Sequence, residues 1–230
     1  MCAFKQEHST FAAGITHGVK IKFYVMIKCD VKVSGTICKE AAIRNNKDGK
    51  SFLTFNMNVL IPSSKGSTKA IEIAVTRDDI SEDQLANYSV GTRLTASGVL
   101  IFKKRGDNVF VNLYAEHFEF NSVPEKDGIN GKMKFRGKLG KTVNEKTDKK
   151  GKKYFLFSGM SSEKVENGFE YLWVSFFLFK EKTDECLKPE AKVEITGDVE
   201  ISFFNDKLNI TSRVDEITPY VSTYNPSNQQ

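Results

Sequence analysis

The chain has 230 residues, 40% hydrophobic and 27% charged, and its 34 Lys and Arg against 29 Asp and Glu give a net charge of +5. That length allows one or two domains, each with its own core, and the mild basic excess favours an anionic partner without requiring one. Cys2, Cys29, Cys38 and Cys186 include no CxxC pair, and His8, His17 and His117 lie near none of them; this argues against a metal site and a disulfide framework and for reduced thiols in a cytoplasmic protein, while no apolar run approaches the length of a membrane span.

Residues 1–25 lack the continuous apolar core and small-residue cleavage site of a signal peptide. Met26-Ile27-Lys28 reads as a natural start, which makes 1–25 an N-terminal extension, non-native or disordered. The competing reading is a strand that begins early, because Ile21, Phe23, Val25, Ile27, Cys29, Val31 and Val33 alternate strictly with other residues. From there the pattern is almost all period two. Strands are expected near 31–43, 51–60, 68–76, 92–103 and 108–120. One helical stretch, Ile80 to Tyr88, interrupts them, with Ser81 placed to cap its first turn. Asn121 to Gly131, with a proline and two glycines, reads as a linker. Strands follow near 132–143, 153–161, 168–179, 191–203 and 206–218, with a short helical counterpart at Glu181 to Leu187. The tail 221–230 is polar, and disorder is expected there.

The two series are copies. Val31-Lys32-Val33-Ser34-Gly35 returns as Met133-Lys134-Phe135-Arg136-Gly137, and Asp48-Gly49-Lys50-Ser51-Phe52-Leu53-Thr54-Phe55 returns as Lys150-Gly151-Lys152-Lys153-Tyr154-Phe155-Leu156-Phe157, both 102 positions on. Leu94 to Gly98 answers Val193 to Gly197 at an offset of 99, so one loop differs by three residues. Five strands with one short helix between the third and fourth is the layout of the OB-fold. The expected fold is therefore all-β: two tandem five-stranded OB-fold barrels at 26–120 and 132–220, joined by the linker 121–131. Gly35 and Gly137 fall inside the first strand of each copy, where such a barrel bends and a side chain would obstruct it; Gly98 and Gly197 fall inside the fourth.

Gly35-Thr36-Ile37-Cys38-Lys39-Glu40, then Arg44, Asp48-Gly49-Lys50 and Thr54-Phe55-Asn56-Met57, resembles the opening of bacterial and phage single-stranded DNA-binding proteins. The second copy keeps Gly137-Lys138-Leu139-Gly140-Lys141, Gly151-Lys152 and Phe157-Ser158. Its Tyr171-Leu172-Trp173-Val174-Ser175-Phe176 is similar to the family strand whose tryptophan stacks on a base. The resemblance touches most of 31–218 and implies single-stranded DNA as partner, a role in replication, recombination or repair, no cofactor and no catalysis. It extends to members with tandem domains that dimerise to present four, so a homodimer is expected. That family usually ends in an acidic tail that recruits replication enzymes; this chain ends in Ser222 to Gln230 without an acidic run, so the resemblance does not carry recruitment by that route.

Alternation sorts the faces. Leu53, Phe55, Met57, Val59, Phe155 and Phe157 fall on the core side of the second strands, and Ile71, Ile73, Val75, Leu172, Val174 and Phe176 on that of the third. Phe52 and its repeat-mate Tyr154 then face outward, as do Tyr171, Trp173, Ser175 and Phe177. On the open face of an OB barrel these rings would be stacking platforms. For Phe52, packing and binding fit equally; for Phe110 and Tyr114, a subunit contact or packing is the better account. Phe203 and Phe204 adjoin the turn at Asn205-Asp206, and adjacent residues facing opposite ways cannot both be core. Basic residues gather at matching turns: Lys47 and Lys50 in the first copy, Lys149, Lys150, Lys152 and Lys153 in the second, with Lys103, Lys104 and Arg105 at the turn between the fourth and fifth strands. Such turns rim an OB groove and would track phosphates.

Catalytic patterns are thin. Gly140-Lys141-Thr142 resembles the end of a phosphate-binding loop, but Phe135 stands where the upstream glycine is required. The expected function is sequence-independent binding of single-stranded DNA by stacking and phosphate contacts. The alternatives are an OB-fold protein–protein interaction module and an RNA-binding protein.

Overall fold

The protein is described from a computed structural model, which covers residues 27–64, 66–78, 82–121, 123–165, 168–180 and 185–220. The expected strand at 21–25, the cap at Ser81 and the tail at 221–230 lie outside the described residues.

Ten strands follow in chain order: β1 Ile27–Asn45, β2 Ser51–Pro62, β3 Thr68–Asp78, β4 Arg93–Arg105, β5 Asn108–Glu119, β6 Gly128–Thr147, β7 Lys153–Val165, β8 Gly168–Leu178, β9 Lys192–Phe204 and β10 Lys207–Pro219. A 3-10 helix, Glu82–Tyr88, stands between β3 and β4. The alternation that defines the strands also builds the core. Leu53, Phe55, Met57, Val59 and Ile61 are buried on β2, and the residues between them are not.

Within each group of five the pairings run in a ring. β1 pairs antiparallel with β2 and with β4, β2 with β3, and β4 with β5, while β3 and β5 close the ring in parallel. β6 to β10 repeat this, with β8 and β10 as the parallel pair. The ring requires long first strands that bend. The start of β1 lies between β4 and β6, and its end, from Thr36, turns to pair with β2. Gly35 sits at the change of neighbour, where a Cβ would lie 2.4 Å from the Asn58 carbonyl oxygen. Gly137 sits at the same place in β6, where a Cβ would lie 2.4 Å from the Met160 carbonyl oxygen. The bend expected from the repeated glycines is a close approach of two backbones.

The rings are joined through β1 and β6, antiparallel from Ile27 opposite Phe135 to Ser34 opposite Gly128. Asp30 faces Lys132 in this register. Those two are also repeat-mates, so an approximate two-fold axis passes between them. Contacts follow that axis. The β9–β10 turn of the second ring meets the β2–β3 turn of the first, with the Ser64 amide donating to the Phe203 carbonyl at 2.9 Å. The β4–β5 turn of the first meets β8, with the Gly106 amide donating to Glu170 Oε1 at 3.2 Å. The connection is strapped by Arg93, whose guanidinium donates to the Pro124 carbonyl at 2.7 Å and pairs with Asp127.

Two expectations change. β6 begins at Gly128 rather than near 132, because Gly128 to Gly131, read as linker for its glycines, is the stretch that pairs with β1. In the second half, residues 185–190 form turns rather than the expected helix; 181–184 lie outside the described residues. The plug differs accordingly. Tyr88 of the 3-10 helix packs on Phe55 and Phe118 at centroid distances of 5.6 and 5.2 Å. In the second half, Leu187 is buried in the corresponding connection, while Phe176 fills the core against Phe135 and Phe157.

Candidate nucleic-acid interface

Among the described residues, β8 carries the row of exposed rings. Its inward residues Val174, Phe176 and Leu178 are buried. The alternate positions give Phe169, Tyr171, Trp173, Ser175 and Phe177, and Phe179 continues the same parity one residue past the strand. Phe169, Tyr171 and Trp173 are 58%, 43% and 53% exposed, which is unusual for rings of this size. At strand rise, Phe169 to Phe179 spans about 33 Å.

Neighbouring strands complete the face. β7 places Leu156 beside Phe177, Ser158 beside Ser175 and Met160 beside Trp173. Tyr154 lies 5.2 Å from Phe179 in a near-parallel stack and 6.2 Å from Phe177. The indole of Trp173 lies over Gly140 of β6, whose Cβ, were there one, would be 3.7 Å from the ring and 2.7 Å from Ser158 Oγ. A glycine at this point leaves bare backbone beneath the indole. Two cations approach the Phe179 ring: the Arg213 guanidinium of β10 at 5.2 Å and Lys152 Nζ at 5.6 Å. Arg213 gets there through the parallel pairing of β10 with β8, which sets it beside Phe177.

The same face of the first ring has no aromatic residue on β3 and carries a carboxylate there. β2 and β3 place Phe52 opposite Asp78, Asn56 opposite Ala74 and Asn58 opposite Glu72. Asn58 is the repeat-mate of Met160, so Glu72 occupies the register position held by Trp173. Lys39 Nζ and Asn56 Nδ2 both donate to Glu72 Oε1 at 2.6 Å. These two hydrogen bonds, Lys39 foremost, hold the Glu72 carboxyl below the usual carboxylate range, and the bond to Glu72 raises the Lys39 ammonium. Beside them Cys38, the repeat-mate of Gly140, has its thiol pushed up, first by burial and then by the Glu72 charge.

The basic turns take different places. Lys47 and Lys50 sit on a turn closed by Asn46, whose Oδ1 accepts from the Asp48 and Lys50 amides at 2.9 Å. Asp148 closes the matching turn by accepting from the Lys150 and Lys152 amides at 2.8 Å. Lys50 pairs with Asp78 at 3.7 Å and Lys153 with Glu145 at 2.6 Å. Lys152 joins the ring cluster, while Lys149 and Lys150 are exposed on the turn. Lys103, Lys104 and Arg105 lie at the seam between the rings rather than along the first ring's own face. Lys104 lines a small cleft there with Glu163, Glu170 and Leu172, which sets this basic turn near the Phe169 end of β8. Phe203 is half-buried at the opposite seam, bridged to Ser63 and lying 5.7 Å from Lys69 Nζ. Phe204 is 60% exposed.

Tyr154, Tyr171, Trp173, Phe177 and Lys152 therefore share one face, while Phe52, Phe203 and the Lys47–Lys50 turn stand apart from it and the Lys103–Arg105 turn approaches only its Phe169 end. Sequence reasoning missed Phe169, Phe179 and Arg213. Strand parity reaches both phenylalanines, but Arg213 has no local signal because its place depends on a pairing between distant strands. Among the described residues there is no group of three His, Cys, Asp or Glu positioned to hold a metal, and no helix is long and apolar enough to cross a membrane.

No family model matches the chain, and no curated protein does. Among solved structures, it is similar to the wild-type single-stranded DNA binding protein from Thermus aquaticus and to a deletion mutant of it. Each is 13% identical, with a TM-score of 0.44, over 87% of this chain and 98% of theirs. A mitochondrial single-stranded DNA binding protein from S. cerevisiae is 20% identical, with a TM-score of 0.32, over 38% of this chain and 91% of its own. At such values the function has to be read from this chain's own residues.

Proposed function

We propose that the protein binds single-stranded DNA without sequence preference and without catalysing a reaction, in support of replication, recombination or repair. In this reading its two strand rings are tandem OB-fold domains. The observation that carries the proposal is the exposed aromatic row on β8, with Arg213 and Lys152 at one end and the Lys103–Arg105 turn near the other. Every base presents a π-face, so a row of rings accepts any sequence, at about 1–3 kcal/mol per stacked base. Cations at both ends suit a phosphate backbone that enters and leaves along the strand. A protein partner would find the same rings, but the flanking positive charge favours a polyanion.

Linking two such domains makes any further contact intramolecular, so that even a weak first-ring face adds to the second, and a homodimer presenting four domains belongs to the same proposal, with Phe110, 51% exposed on β5, as a contact. The test is a titration with oligo-dT that follows Trp173, the chain's one tryptophan. The expected result is quenching, with affinity falling steeply as salt rises. Absence of quenching and of salt-sensitive binding at low ionic strength overturns the proposal. Tighter binding to the matching RNA oligomer would replace DNA with RNA as the ligand.

A further inference from the structure

The two faces differ most at one register position. Where β8 presents Trp173 over bare backbone, β3 presents a carboxylate, and the groups around that carboxylate are ones a nucleic acid would use. Lys39, on the bent half of β1, is placed to meet a phosphate, but its ammonium is 2.6 Å from Glu72. Asn56, whose amide could meet a base edge or a phosphate oxygen, gives its Nδ2 to the same oxygen. The pair is not structural filling. Its side chains are 60% and 45% exposed, and an exposed ion pair contributes little to stability. The rest of the strand is consistent: Ala70, Ala74 and Thr76 give β3 no ring on this face, and Asp78 adds a second negative charge beside Lys50.

We infer that Glu72 is a specificity-determining residue that sets the first ring against the phosphate backbone, by occupying Lys39 and Asn56 from within the chain, so that single-stranded DNA seats on the second ring. This rests on the proposed function. The internal carboxylate imitates the ligand's charge. To bind at this face, a phosphate must displace Glu72 from Lys39 and then lie beside an unpaired carboxylate. Glu72 thereby limits the length of strand the chain covers, and the two repeats share a scaffold but divide the work.

The experiment compares wild type, Glu72→Gln, Lys39→Gln and the double variant in oligo-dT titrations across a salt series, with occluded length read from stoichiometric titration on long poly-dT. Glu72→Gln should tighten binding about threefold to tenfold. It should also steepen the dependence of log K on log salt by about 0.7, the increment for one phosphate on a single strand, and lengthen the occluded site. Lys39→Gln alone should change little, because Lys39 is already engaged, yet it should abolish the gain in the double variant. Glu72→Trp, which installs the second ring's side chain, should lengthen the occluded site further. If wild type binds with quenching but Glu72→Gln leaves affinity, slope and site length unchanged, the inference falls and the proposed function stands. If wild type does not bind, the proposed function fails first.

Discussion

The two rings share bends, turns and core pattern, yet their open faces have opposite chemistry. The second offers five rings in a line with bare glycine backbone beneath the indole; the first offers a carboxylate held by a lysine and an asparagine. The scaffold contacts are set by backbone geometry, so both copies keep them. Gly35 and Gly137 each face a carbonyl oxygen 2.4 Å from where a Cβ would lie, and Asn46 and Asp148 close the same turn through the same oxygen. Outward positions of a strand carry no such constraint, and there the copies have parted.

The largest effects should come from breaking one bend at a time. Gly137→Ala must push β6 away from β7 and displace the Phe135 ring, 2.6 Å from the added carbon; Gly35→Ala must force β1 from β2 at the Asn58 carbonyl. Each should destabilise by about 1–3 kcal/mol or more, read as a lowered melting temperature. Binding separates them. At a temperature where both remain folded, Gly137→Ala should lose at least tenfold in oligo-dT affinity, because the β6 bend sets Gly140 beneath Trp173, while Gly35→Ala should lose less than threefold. Equal losses would mean that the faces contribute equally.

Next in size is the pair of ring deletions. Trp173→Ala removes a base platform of about 1–3 kcal/mol, which corresponds to roughly fivefold to 150-fold in affinity. Phe52→Ala, opposite Asp78 on the first ring's face, should cost less than threefold. Binding can be followed by anisotropy of a labelled oligonucleotide, since the first variant lacks the intrinsic probe. The reverse order would move the principal site to the first ring. A smaller loss is expected from Arg213→Gln. The guanidinium lies 5.2 Å from the Phe179 ring, and its removal takes away one phosphate contact, so the salt dependence should flatten by about 0.7 with a severalfold loss of affinity. An unchanged slope would make Arg213 a packing partner of Phe179 only.

These variants also mark how far the sequence could be read. Strand order and faces were legible because alternation is local: each buried residue of β2 and β3 announces itself two positions from the next. The repeat made the bends legible, since an in-strand glycine gains meaning when it recurs at one register position. The seam was not legible. Gly128 to Gly131 looks like a linker until β1 is there to pair with it, and the Lys103–Arg105 turn and Phe203 look like rims of their own ring's groove until the other ring is set against them. The significance of Glu72 was hidden for the same reason. As a lone acidic residue on a strand it says nothing, and only the β2–β3 register and the reach of Lys39 from β1 make it the counterpart of Trp173.

The smallest effect tests the local electrostatics of that counterpart without any ligand. Cys38 lies beside the Glu72–Lys39 pair, and its thiol is raised by burial first and by the Glu72 charge second, with Lys39 acting in the opposite sense. Thiolate is the reactive form, so alkylation of Cys38 should be slow near neutral pH, with a rate profile rising only above the ordinary thiol range. Glu72→Gln removes an anion that disfavours thiolate and leaves Lys39 able to favour it, so the profile should move to lower pH and the rate at fixed pH should rise severalfold. Lys39→Gln should move it to higher pH. Cys29, whose thiol burial pushes up to about 12, lies in the core and supplies the internal control: it should stay unlabelled in all three proteins under native conditions. Site-resolved mass spectrometry distinguishes the two thiols. A Cys38 profile indifferent to both substitutions would mean that the carboxylate and ammonium do not rest beside the thiol in solution, and the asymmetry between the faces would then reduce to the presence or absence of rings.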